Sequence, residues 1–197
     1  METSIDPWLI SLLSAILGGT FTLIGQLFSF YLQKKSKLIQ EQSELKSLLM
    51  SFHVEIETLY ERYIDSVGHE LNQTTFPDGI TFRMHAHQDY MVVFSANAHR
   101  VGQIKDNSLR KAILQTYIIT KSLLDSYETN NSALDQLRLL EIEFLSQPEL
   151  AKKMLQEQRQ AIRNYGPSLY DLHRRYCQKV HAVTLMIKQH IMPGLSV

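Results

Sequence analysis

At 197 residues the chain is long enough for one domain and a short additional segment. Its 20 basic and 20 acidic residues give a net charge of zero, which excludes a chain-wide electrostatic surface for nucleic acid. The single cysteine, Cys177, excludes an internal disulfide and is typical of a protein from a reducing compartment.

The first segment with a clear pattern is an uncharged stretch of 25 residues, 8–32. As a helix it would be about 37 Å long, enough to cross a hydrocarbon core of about 30 Å with some tilt. Trp8 and Tyr31 lie near its two ends, where aromatic rings favour the membrane interface. The sequence therefore predicts one transmembrane helix over 8–32, preceded by a short periplasmic tail, 1–7.

Two other interpretations of this stretch are a cleaved signal peptide and a buried core helix. A signal peptide begins with basic residues, whereas the residues before the stretch include Glu2 and Asp6 and no Lys or Arg. No small-residue cleavage motif follows the apolar run. Core helices seldom extend this far without a charge, so the membrane interpretation is favoured.

Charges that flank the stretch predict its orientation. Lys34, Lys35 and Lys37 follow it directly, while the residues before it are acidic. The positive-inside rule then places the N-terminus outside and residues 33–197 in the cytoplasm. In that compartment the glycosylation motifs at Asn72 and Asn130 are chance matches.

Small residues recur along one face of the predicted span, at alternating spacings of four and three. Such residues let helix backbones approach closely in lipid, where close packing drives helix association. Gln26 lies beside them and could donate a hydrogen bond to a neighbouring helix. We therefore predict self-association through this face, although small residues are also common in membrane helices that do not associate. The predicted packing face comprises Ser11, Ala15, Gly18, Thr22, Gly25, Gln26 and Ser29.

Apolar periodicity predicts an all-α domain of four to five helices over 33–197. The membrane helix is expected to continue to about Gly68, with its apolar stripe forming bundle core rather than a coiled-coil stalk. Residues 68–89 are predicted as a loop, within which Ile80–Thr81–Phe82 could be extended. A short helix should then end near Gly102.

Three more helices are predicted after Gly102. The first is capped by Asp106 or Asn107, the second begins after Ser132, is interrupted by Pro148 and ends at Gly166–Pro167, and the last extends from about Pro167 to Met192. Their apolar faces predict buried residues, namely Leu109, Ile113, Tyr117, Thr120, Leu124, Tyr127, Leu169, Leu172, Tyr176, Val180, Val183 and Ile187.

The sequence contains no catalytic or nucleotide-binding motif, and we expect neither an enzyme nor a cofactor. His85 and His87, with His69 and His99 nearby, could hold zinc, but no motif supports a site and solvated histidines are favoured. Asn97 and Arg100 are polar within an apolar segment. Asn97 is interpreted as satisfying local backbone groups, with a partner contact through Asn97 and Arg100 as the alternative.

Two segments carry a resemblance to a known group of proteins. They are Gly18-Gly19-x-x-Thr22-Leu23-Ile24-Gly25 and Phe94-x-x-Asn97-Ala98-x-x-Val101-Gly102-x-Ile104, the latter followed by a helix with Leu109, Ile113 and Tyr117. The combination resembles small, single-span bacterial inner-membrane proteins of anti-phage defence loci, of the retron transmembrane-effector type. Some such effectors have two spans, and this chain offers one.

The resemblance implies a membrane effector held silent by a partner complex, namely a reverse transcriptase with its DNA–RNA hybrid. Released during phage infection, such an effector would damage the inner membrane and cause abortive infection in the manner of a toxin. The alternative is a membrane-tethered helical scaffold or sensor that recruits a protein partner. Direct binding of nucleic acid is not expected in either case.

Overall fold

The computed structural model describes residues 7–73, 79–84 and 90–192, and the side chains of residues 7, 9–10, 12–15 and 72–73 lie outside the description. The described residues are helical or irregular and contain no strand, which confirms the all-α prediction. The chain divides into two units, 1–47 and 48–197. The first unit consists, in its described part, of the N-terminal portion of one helix.

Helix α1 extends from Pro7 to Tyr63 and continues as a π-helical segment, Ile64–Gly68, and a short helix α2, His69–Gln73. The prediction that the first helix continues far beyond residue 32 is confirmed. The predicted break at Gly68 is wrong, because helical backbone continues to Gln73. Gly68 is instead buried where a Cβ atom would lie 2.7 Å from Cδ1 of Ile64, so close packing explains this glycine.

The apolar stripe of α1 forms core in the second unit, as predicted. Leu49, Phe52, Ile56 and Tyr63 are all buried there. Burying such side chains contributes about 1.5–3 kcal/mol each, relative to leaving them in water. The core interpretation therefore holds over this part of α1.

Helix α3, Val92–Asn97, leads into a 3₁₀ segment, Ala98–Gln103. Helix α4, Asn107–Ser146, begins at the predicted cap: Asp106 Oδ1 accepts hydrogen bonds from the backbone N–H groups of Ser108 (2.8 Å) and Leu109 (3.1 Å). A carboxylate at this position satisfies donors that have no partner within the helix.

The division of the second half of the chain differs from the prediction. Helix α4 continues through Asn130–Ser132 without a break, and Pro148 begins helix α5, which extends to Ile191. Asn130 is fully buried and its side-chain amide donates to the Ile80 carbonyl (3.1 Å). The helix boundary predicted near Ser132 is therefore wrong, and the Asn130 side chain instead joins α4 to the segment 79–84.

Gly166–Pro167 does not end a helix either, since both residues lie inside α5. Gly166 is buried against the segment 79–84, where its added Cβ atom would lie 3.2 Å from Cα of Gly79. Gly79 itself has a φ of +82°, which favours glycine. The close approach of two backbones explains both glycines, and the buried face of α5 offsets the cost of an internal proline.

Apolar side chains of α4 and α5 are buried largely as predicted. Of the predicted positions, Leu124 and Leu172 are half-buried and the others are buried. The segment 79–84 is irregular and contributes Ile80, which is fully buried. No strand forms over Ile80–Phe82, and the Arg83–Asp135 ion pair (2.7 Å) joins the segment to α4.

Candidate functional site

The predicted packing face of the N-terminal helix lies on α1 in the first unit. A Cβ atom added to Gly18, Gly19 or Gly25 would meet nothing within 4 Å. The Thr22 hydroxyl donates to the Gly18 carbonyl (2.8 Å), so it is satisfied within its own helix. The face is open in a single chain, and its role in association stays a prediction.

Large apolar side chains of the same helix are exposed on the sides away from the small-residue face. Phe21, Leu27 and Phe30 are 72%, 71% and 67% exposed. The flanking lysines Lys34, Lys35 and Lys37 are exposed too. Over the described residues, no helix combines the length and apolarity that crossing a membrane requires.

The second candidate pair, Asn97 and Arg100, lies at the junction of α3 and the 3₁₀ segment. The Asn97 side-chain amide donates to the Val93 carbonyl (2.9 Å), in agreement with the local interpretation. Arg100 is half-buried in the 3₁₀ segment beside buried Val101. A partner contact through this pair stays a prediction.

Glu55 forms a site that the sequence analysis missed. This buried carboxylate on α1 accepts hydrogen bonds from the backbone N–H groups of Val93 (2.6 Å) and Phe94 (3.0 Å) and from the Tyr117 hydroxyl (2.6 Å). It therefore satisfies donors of the first turn of α3 from a different helix. Burial and the contact with Glu55 raise the pKa of Tyr117, so its hydroxyl remains a donor.

An aromatic cluster surrounds this carboxylate. The rings of Phe94 and Tyr117 are stacked, with centroids 3.9 Å apart, and Phe52 contacts both at 6.1 Å. These contacts join α1, α3 and α4. Since α3 contains no buried residue of its own, Glu55 and the Phe94 ring are its main attachments to the bundle.

A second polar cluster lies deeper in the unit, where α1, α4 and α5 meet. Tyr63 Oη lies 2.7 Å from Nδ1 of buried His173 and 3.4 Å from Tyr127 Oη. Burial lowers the pKa of His173, which favours the neutral ring in its hydrogen bond with Tyr63. Burial also raises the pKa of Tyr127 to about 12. Neutral groups in this cluster stabilise the packing of three helices.

Cys177 lies beside this cluster, half-buried, with its sulfur 3.8 Å from Nδ1 of His173. Burial raises the pKa of the thiol. A raised pKa disfavours the reactive thiolate, so the side chain packs here as a small apolar group.

No group of three or more potential metal ligands occurs within the described residues. His85 and His87, the residues considered for zinc, lie outside the described part of the chain. The zinc alternative therefore stays a prediction.

Two cavities flank α3 in the second unit. One, of about 460 Å³, lies between α1 and the segment that precedes α3, and its lining includes Val54, Leu59, Arg62 and Tyr90. The other, of about 300 Å³, lies between α3 and α4, with Leu114 and Ile118 in its lining. Open space therefore lies on both sides of α3.

Comparison with known proteins adds no relative to this picture. No family model, no curated protein and no solved structure matches the chain.

Proposed function

We propose that this protein is a non-enzymatic membrane effector, anchored in a bacterial inner membrane by residues 8–32 and acting in anti-phage defence. The observation that carries the membrane part is the uncharged surface of the N-terminal helix, whose large apolar side chains are exposed on every side except the small-residue face. A helix with such a surface is stable when it is surrounded by apolar groups. The first unit supplies no other described element to cover it, and a lipid bilayer would.

The sequence and the described side chains support this proposal together. Leu9, Ile10, Leu12 and Leu13 contribute much of the apolarity of the stretch, and their side chains lie outside the described part. Charge enters the helix only after residue 32, with the three lysines. The same charges support an orientation with the second unit in the cytoplasm.

The defence role rests on the resemblance to retron transmembrane effectors. In this proposal the partner complex of reverse transcriptase and DNA–RNA hybrid holds the protein silent through its cytoplasmic helices. Loss of that contact lets the membrane helices associate and disturb the bilayer.

Expression of the chain alone tests the effector proposal. We expect loss of membrane potential and entry of an impermeant dye, measured by flow cytometry, followed by growth arrest. Gly18→Leu and Gly25→Leu should reduce this toxicity, because a large side chain on the packing face prevents close helix approach. Intact membranes and normal growth at high expression would contradict the proposal.

Thr20→Leu is the control for those variants. Thr20 is a small, exposed residue of the same helix and lies on the side opposite Gly18 and Gly25. We expect Thr20→Leu to retain toxicity. Equal effects at all three positions would remove the helix face from the proposal.

A second candidate function is that of a membrane-tethered sensor that recruits a protein partner. It is favoured by exposed apolar side chains around α3: Val54, Val92 and Ile118 are 54%, 66% and 65% exposed. Exchange of residues 8–32 for an unrelated membrane span distinguishes the two functions. A sensor would keep its activity after the exchange, whereas the effector would lose its toxicity.

A further inference from the structure

The larger cavity beside α3 has the size and lining of a small-molecule site. Its volume of about 460 Å³ lies within the range of about 300–1,000 Å³ typical of ligand sites. Apolar side chains of α1 and α3 form most of its wall, including Met50, Val54, Leu59 and Val93. Alkyl groups that bind there would move from water to an apolar surface, which is favourable.

A second cavity of about 180 Å³ shares part of that wall. Leu59, Arg62 and Tyr90 line both cavities, and the smaller one extends inward to Leu123 and Tyr176. The two cavities therefore adjoin at these three residues. The apolar side chains of the larger one offer a surface for an alkyl chain.

Charge at the shared wall determines the head group that fits. The Arg62 guanidinium lies over the Tyr90 ring, with Cζ 4.4 Å from the ring centroid. Stacking on a ring holds the guanidinium in place while its edge N–H groups can still donate to a carboxylate. The lining also contains one carboxylate, Glu55, which already accepts hydrogen bonds from Val93, Phe94 and Tyr117.

We propose that the larger cavity binds a single-chain fatty carboxylate, with the alkyl chain along Leu59 and the carboxylate on Arg62. The site belongs to the second unit and does not depend on the proposed function of the N-terminal helix. Its occupant would lie against Val93 and thus beside the attachment of α3 to Glu55. Amide exchange of the Tyr90–Asn97 segment is therefore the readout.

The test uses the full chain in nanodiscs of zwitterionic lipid, titrated separately with octanoate, octanol and octylammonium. These probes share one alkyl chain and differ in head-group charge. We expect octanoate to slow hydrogen exchange over residues 90–97 at a concentration about tenfold lower than octanol, since a charge-assisted hydrogen bond contributes about that factor. Octylammonium should be the weakest of the three.

Two variants and one control complete the test. Arg62→Gln should abolish the difference between octanoate and octanol, and Val54→Trp should abolish protection by both, because the larger side chain fills the cavity. Val54 is 54% exposed, so the variant is expected to fold, which circular dichroism checks. Arg138→Gln changes an exposed arginine of α4 and should behave as wild type.

Equal protection by octanoate and octylammonium would overturn the proposal. An unchanged octanoate titration in Arg62→Gln would overturn it as well. Toxicity need not change in either case, so the failure of this inference is distinct from failure of the effector proposal.

Discussion

The Tyr117 hydroxyl donates a 2.6 Å hydrogen bond to the same Glu55 oxygen, Oε2, that accepts the backbone N–H of Phe94. Three helices therefore meet at one buried carboxylate, because Glu55 is on α1, Tyr117 on α4 and Phe94 on α3. The stacking of the Phe94 and Tyr117 rings depends on the same arrangement. Loss of the carboxylate charge should therefore destabilise α3 before it destabilises the other helices.

Glu55→Gln should loosen α3 and lower the free energy of unfolding by about 1–3 kcal/mol, because an amide cannot accept at both positions and leaves buried donors unsatisfied. Hydrogen exchange measured by mass spectrometry should quicken over residues 92–103 before it quickens in α4 or α5. Glu61→Gln is the matched control: it changes an exposed carboxylate of the same helix and should cost less than about 1 kcal/mol. Equal effects of the two variants would contradict the role given to Glu55.

Gly79→Ala should destabilise the second unit by about 1–3 kcal/mol, since a residue with a side chain is strained at positive φ. The new Cβ atom would also lie 2.6 Å from the Ile162 carbonyl oxygen, a backbone atom that cannot move easily. Urea denaturation measures the change. Gly102→Ala, where the added carbon meets nothing within 4 Å, should change stability by less than about 1 kcal/mol. A neutral Gly79→Ala would mean that the 79–84 segment does not pack on α5.

Stability should fall as the solution is acidified below pH 6.5. Burial lowers the pKa of both His173 and His53 from an ordinary value of 6.5, so below that pH the unfolded chain binds more protons than the folded one. The stability is fully present above 6.5 and is lost as the pH falls toward the folded-state pKa values. Thermal unfolding followed by circular dichroism over this interval checks the sign.

His173→Gln should reduce the slope of that pH dependence, because one of the two buried imidazoles is removed. His181→Gln, an exposed histidine on the same helix, should leave the slope unchanged. A slope that is the same in both variants would assign the pH dependence to other groups.

Tyr63→Phe should cost about 1–3 kcal/mol, since it leaves the buried Nδ1 of His173 without its 2.7 Å partner. The ring contacts of Tyr63 with Tyr176 and Tyr127 remain in this variant, so the change reports the hydroxyl alone. Tyr170→Phe removes a hydroxyl from an exposed residue and should have a smaller effect in the same urea titration. If the two variants lose the same stability, the Tyr63–His173 contact does not stabilise the fold.

Local signals predicted those parts of the fold that depend on neighbours in sequence. The Asp106 cap and the apolar stripe of α1 follow from spacing and side-chain chemistry. The helix ends predicted at Gly166–Pro167 and near Asn130–Asn131 were wrong. Both sites pack against the 79–84 segment, which is distant in sequence. Tertiary packing decided both positions against local preference.

The role of Glu55 left a weak signal in the sequence. It lies three residues after Phe52 and one before Ile56, at the edge of an apolar stripe where a solvated acid is unexpected. Its partners, two backbone N–H groups and a tyrosine from other helices, carry no pattern of their own. The cavities and the Arg62–Tyr90 contact were not predictable for the same reason.

Pro167 has one more implication for helix α5. Without an N–H group it leaves the Arg163 carbonyl with no helical donor, near the place where the Gly79 backbone lies against Ile162 and Gly166. The surrounding protein thus helps to keep these 44 residues in one unbroken helix, because one of their own hydrogen bonds is missing. As an isolated peptide, the same stretch should form two helical segments that move independently about a flexible joint at Pro167.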